Sequence, residues 1–488
     1  MNRRTFLKAS STALAAGVGG RRGTAASGPD AASLLSLLED GLRARLPAEL
    51  VALIRNGLGY ERFLETLMLA AVRNVQPYPD VGFKYHAVMV LQSIHLTTGG
   101  LAAADRWLPV VWAADYFKET QAAERRQTGW HMPPRPAVTG AEPERARRSL
   151  VTALDSWNRD AADAAIVNCA SLVGRGALFE VLFPYGARDL RAIGHKAITV
   201  QNAHRLIGLL GSAHAEPILR STVAALQNAD GDGNPVGRDL PEDRPWAANR
   251  ERLAGIPTRW RSGREDPGAR AALLQGLRES TEEGAGALIV EHLKAGVAPA
   301  TVWEALFAAA AELIMRRPGI VPVHAQTTAN ALHHAYRASN DDRTRQLAML
   351  QCAAFVSMFR RLVGDARADL RLDALEPLAL EGSPDNAIEE IFANVPGQRS
   401  RAARQTLSYL AGGGNEGALI ARSRHHLAHN VTGSHDYKFA EAALENAASV
   451  GDAAWRARLL AAGMAYLPGP VPARPNPVVE EAVELLRG

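Results

Sequence analysis

Apolar residues recur at three- and four-residue intervals through most of the chain, as in SLLSLLEDGLRARL, ERFLETLMLAAV and RTRQLAMLQCAAFVSMFRRLV. That period lines one face of an α-helix, and the two-residue alternation of a half-buried strand is nearly absent. The pattern predicts an all-α fold: a large multi-helix domain in which two related helical halves can share one core. At 488 residues, burying such a core is no difficulty. Breakers separate the periodic segments: VQPYPDVG, HMPPRPAVTGAEPE, NADGDGNPVGRDLPEDRP, RRPGIVPV and LPGPVPARPNP. The expected organisation is a leader over 1–26, a helical half over 30–228, a Pro/Gly-rich linker or ordered excursion over 229–270, and a second helical half over 271–488.

The leader changes the charge picture. MNRRTFLKASSTALAAGVGG carries Arg3-Arg4, then Phe6-Leu7-Lys8, a short Ala-rich stretch and small residues at GTAAS. This order is that of a twin-arginine signal peptide, and it predicts export to the periplasm or beyond. Formal charge is +4 for the whole chain; without the five basic residues of 1–26 there remain 50 basic against 51 acidic residues. No electrostatic footprint for nucleic acid is left, and no run of apolar residues is long enough for a membrane span. Cys169 and Cys352 are too few for a disulfide framework or a thiolate cluster. Twin-arginine export carries folded proteins, which favours a resident cofactor.

The candidate chemistry is in the histidines. His86, His195, His324 and His435 each follow a turn signal (Gly82, Gly194, Pro322 and Gly433) and recur at long, roughly even intervals along the chain. Each is expected in the first turn of its helix, where the positive end of the helix dipole keeps imidazole neutral and able to ligate a metal or accept a proton. Three of these segments carry a second histidine nine residues on (His95, His204, His333), which on an ideal helix faces the opposite way. Four neutral imidazoles would suit a transition metal, iron first and copper or zinc as alternatives, rather than magnesium or calcium. The pair His425 and His429, with His426 between them, forms a competing cluster on one helix face but lacks the glutamate of HExxH. GGGNEG fits G-x-G-x-x-G without a preceding strand, so it reads as a helix-to-helix turn, and no flavin or dinucleotide motif is found. Asp230, Asp232 and Asn234 begin like a calcium loop, but Pro235 and Pro241 occupy its glycine and glutamate positions.

Taken in order, YHAVMVLQSIHLTTGG, GHKAITVQNAHRLIGLLG, VHAQTTANALHHAYRASND and SHDYKFAEAALEN resemble segments of the questin oxidase-like family, over about residues 83 to 446. The resemblance implies a helical protein that oxidises aromatic polyketides of the anthraquinone type by oxygen insertion next to a carbonyl, with a nicotinamide reductant. It maps the family's histidines onto His86, His195, His324 and His435, and Lys438 completes the His-x-x-Lys of the last segment. This chain departs from the family in placing Asp436 after that histidine and in its export leader, which argues against a soluble nicotinamide donor. The expectation is an exported, monooxygenase-like oxidoreductase acting on an aromatic or carbonyl-bearing small molecule, with an electron donor as partner. Its metal would be held by the four histidines, and Lys438 or Tyr437 would supply a proton. The rival expectation is a non-catalytic periplasmic binding or scaffold protein, in which the four rings lie on separate surfaces.

Overall fold

The computed structural model describes residues 31–77, 84–140, 142–188, 190–228 and 234–488. The twin-arginine leader, the turn residue Gly82 and the aspartates Asp230 and Asp232 lie outside these residues. Among the described residues the fold is all-α, and the one β-bridge, Arg264 to Val297, stands alone. Helix starts are marked by short polar side chains that accept from the first free backbone amides: Asn158 from Ala161, Asp266 from Ala269, Asp341 from Thr344, Asn415 from Ala418. Each such cap is worth about 1 kcal/mol. The Asn415 cap belongs to GGGNEG, which is the expected turn between the helices Arg399–Ala411 and Glu416–Asn430.

At the centre runs Pro299–Arg316, a helix whose residues from Thr301 onward are all buried. A helix apolar all round belongs inside a large core, and its few charges are matched there. Glu304 meets Arg270 at 2.7 Å, Glu312 meets Arg278 at 2.7 Å, and Arg316 donates to the Gly364 and Ala366 carbonyls. No helix of the described residues is long and apolar enough to cross a membrane.

One contiguous hydrophobic cluster runs from Leu34 to Val479 and draws on both predicted halves. The segment read as a linker is an ordered excursion where described: it contains the helix Arg244–Arg252, whose Asn249 is fully buried and donates to Gln351 at 2.8 Å. The helices His195–Leu210 and Ile320–Ala338 lie side by side and run in the same direction. His195 meets His324, Gln201 meets Asn330, and His204 meets His334, so residue numbers rise together along the seam.

Candidate metal centre

The start of the His195 helix is set by Gly194, which adopts φ +85°, a conformation glycine takes at no steric cost. The same glycine permits a close approach: a Cβ there would overlap Thr328 Oγ1 of the neighbouring helix. His195 is therefore the first residue of its helix and faces His324, with the two Nε2 atoms 2.8 Å apart. His86 opens the short helix His86–Met89, and His435 is the second residue of Ser434–Ala448. His324 departs from the expected first turn. It lies one turn inside Ile320–Ala338, because that helix begins before Pro322, which its early turns tolerate.

All four leading rings converge in one buried cluster. Ring centroids are 4.5 Å apart for His86 and His435, 4.6 Å for His195 and His324, 5.0 Å for His86 and His195, and 5.1 Å for His324 and His435. One ring nitrogen from each of His86, His324 and His435 lies within 4.8 Å of the others. His324 Nδ1 donates to the Ile320 carbonyl at 2.7 Å. A carbonyl only accepts, so Nε2 of His324 carries a lone pair, the tautomer that a backbone carbonyl gives a metal-ligating histidine, and here it accepts from His195 Nε2. His435 Nε2 is buried with no hydrogen-bond partner among the described residues.

Burial is the main reason these rings stay neutral, with a secondary push from Lys438. It lowers His324 to about 3 and His435 to about 2, and it holds His86 and His195 well below the ordinary imidazole value. Lys438 is itself fully buried, its Nζ has no hydrogen-bond partner among the described residues, and burial holds its ammonium well below the usual range. The donor set of neutral imidazole nitrogens, three of them from His86, His324 and His435 within reach of one point and His195 hydrogen-bonded at its edge, suits a transition metal better than magnesium or calcium.

Lys438 also lines a narrow cleft of about 20 Å³, whose walls include Gln92, Gln201, Arg205, Asn330 and Glu445. These polar groups hold one another. Gln201 donates to Asn330 at 2.6 Å, Asn330 to Glu445 at 3.1 Å, and Arg205 makes two contacts to Glu445 at 2.9 and 3.0 Å. The sequence reading missed these residues; their signal was amides placed on otherwise apolar helix faces.

Tyr437 stands apart from the cavity. Its ring packs against Trp112 at 5.1 Å and its hydroxyl is buried with no hydrogen-bond partner among the described residues. Burial pushes its phenol well above the ordinary range. The second histidines disperse: His95 meets the Tyr60 hydroxyl, His333 packs on Trp303 and Phe307, and His204 pairs with His334 at 3.0 Å. His425 and His429 share a face, while His426 turns to Phe392. Comparison of the chain with family models, with curated proteins and with solved structures yields no match.

Proposed function

We propose that His86, His195, His324 and His435 hold a transition-metal ion, iron before copper or zinc, and that the protein is an oxidoreductase acting there on a small molecule, in line with the likeness of its histidine segments to the questin oxidase-like family. The observation that carries this reading is the convergence of four neutral rings, with two Nε2 atoms 2.8 Å apart and one of them turned inward by the Ile320 carbonyl. A binding scaffold leaves that convergence without a role.

When bound, the ion would supply activation of water or oxygen at an open coordination position. The chain's own residues set the conditions around it. Burial keeps the imidazoles free of competing protons, which a metal ligand requires. Lys438, an amine at the junction of cavity and cleft, is placed to accept a proton from a substrate or to donate a hydrogen bond to its carbonyl. Arg205, Asn330 and Glu445 line the same cleft as Lys438 and would orient polar groups of a ligand. The aromatic substrate class and the electron donor come from the family likeness; the donor is expected to be a redox protein or small reductant of the exported compartment.

Elemental analysis of gently purified protein tests this directly, with at least about one equivalent of transition metal expected per chain. Less than about a tenth of an equivalent would sink the proposal. His195→Ala is expected to empty the site with little loss of fold. His204→Ala is expected to keep the metal and to cost about 1–2 kcal/mol of stability, because it removes one hydrogen bond and ring contacts to Phe179 and Phe183. Equal effects of the two substitutions on metal content would overturn the division of roles.

A further inference from the structure

The histidine-rich stretch RHHLAHN, which the four-ring cavity leaves unused, lies on the helix Glu416–Asn430. His425 and His429 stand four residues apart on one face, with ring centroids 4.5 Å apart. The turn before the helix Leu108–Gln127 brings Asp105 against them from a distant part of the sequence. Its Oδ2 is 3.1 Å from His425 Nδ1 and its Oδ1 is 3.1 Å from His429 Nε2.

The two contacts differ in kind. His425 makes an aligned hydrogen bond to Asp105. His429 Nε2 is buried and close to the carboxylate, yet has no aligned hydrogen bond. A buried ring nitrogen left without an aligned hydrogen bond beside a carboxylate keeps its lone pair available to a ligand. One ligand atom from each of the three residues lies within 4.8 Å of the other two. The side chains of Asp105 and His429 are 17% and 18% exposed and that of His425 is 39% exposed, so the group has a rigid base and one side open to solvent.

We propose that Asp105, His425 and His429 form a second metal site, independent of the inner cavity, for a borderline divalent ion such as zinc. Two imidazoles and one carboxylate are a donor set that zinc and its first-row neighbours accept, with a remaining position left to water. Magnesium and calcium would need more oxygen atoms than Asp105 offers. The ion would clip the turn between Leu91–Gly99 and Leu108–Gln127 to the helix Glu416–Asn430, joining an early part of the chain to a late one. The site takes up metal without reference to catalysis.

The test uses the full chain, stripped with a chelator and titrated with zinc chloride alone, with bound zinc per chain and thermal midpoint as readouts. In a His435→Ala background, which disables the inner cavity, one zinc per chain and a raised midpoint are expected. Adding His429→Ala should abolish both effects, and adding Asp105→Asn should weaken zinc binding by about tenfold or more. If His435→Ala fails to fold, the same comparison in the wild-type background must show zinc falling by one equivalent on His429→Ala. Zinc retained in the His429→Ala chain, or no uptake while Asp105, His425 and His429 are intact, overturns the proposal and leaves a plain histidine–aspartate ion pair. Metal lost only through His435→Ala would report on the inner cavity alone and overturn the second site.

Discussion

His204 and His333 show how burial of a single imidazole becomes a property of the whole fold. Desolvation, aided by Arg175 for His204 and by Arg337 for His333, lowers them to about 4 and about 3. Both are neutral in the folded chain at pH 6, where an unfolded chain with an imidazole value of 6.5 binds protons. By linkage the stability they permit is fully present above about pH 6.5 and is lost as pH falls toward the folded values. Urea midpoints are therefore expected to drop between pH 7 and pH 4.5, and His204→Asn should flatten part of that slope. A midpoint constant over this range would contradict the neutral assignment. At this scale the sequence was informative about the leading histidines, because each follows a turn signal. It also held a correction that simple geometry supplies. Three residues along a helix bring the chain almost back to the same face and two carry it to the far side, so Lys438 shares the face of His435 and Tyr437 does not.

Between elements, the seam of His195–Leu210 and Ile320–Ala338 carries the register of the centre. The seam is tight because Gly194 lets the helix start press on Thr328. Gly194→Ala adds both a strained φ and a clash, so it is expected to cost more than about 1 kcal/mol and to lower metal content by displacing His195. Adding Thr328→Ala removes the clash and leaves the φ strain, so the double variant should recover metal in part and stability less. Calorimetry and metal content across the three chains would check it; a Gly194→Ala chain as stable as the parent would show that the approach is looser. Helical period was legible along the sequence because an amphipathic face repeats every turn. Pairing was not: the nine-residue spacing singles out His204 and His333 within their own helices, and only the seam shows that His334 lies opposite His204. Asp105 gave no local signal at all, since its partners are brought to it only by the fold.

Across the molecule, the cavity draws His86 and His195 from one predicted half and His324 and His435 from the other, over a single hydrophobic cluster. The halves share the histidine cluster as well as a core, and the segment between them is packed down through Asn249. Chemical unfolding is expected as one transition, with far-ultraviolet circular dichroism, tryptophan fluorescence and release of bound metal coinciding. A half that melted first while metal stayed bound would contradict this. The sequence could supply the fold class, because class follows from period. It could not reveal that the segment over 229–270 is built into the body, because Pro- and Gly-rich composition describes how a chain turns rather than what it packs against.

The wide separation of the four rings along the chain has a consequence for biosynthesis. A ribosome must pass His435 before the last ring exists, so a nascent chain holds one, two and then three of the four in turn and cannot close the set early. On the proposed reading, metal insertion would follow translation of that final segment, and a chain interrupted before it would lack a complete centre. A loaded centre would therefore mark a chain whose synthesis has passed its last ring.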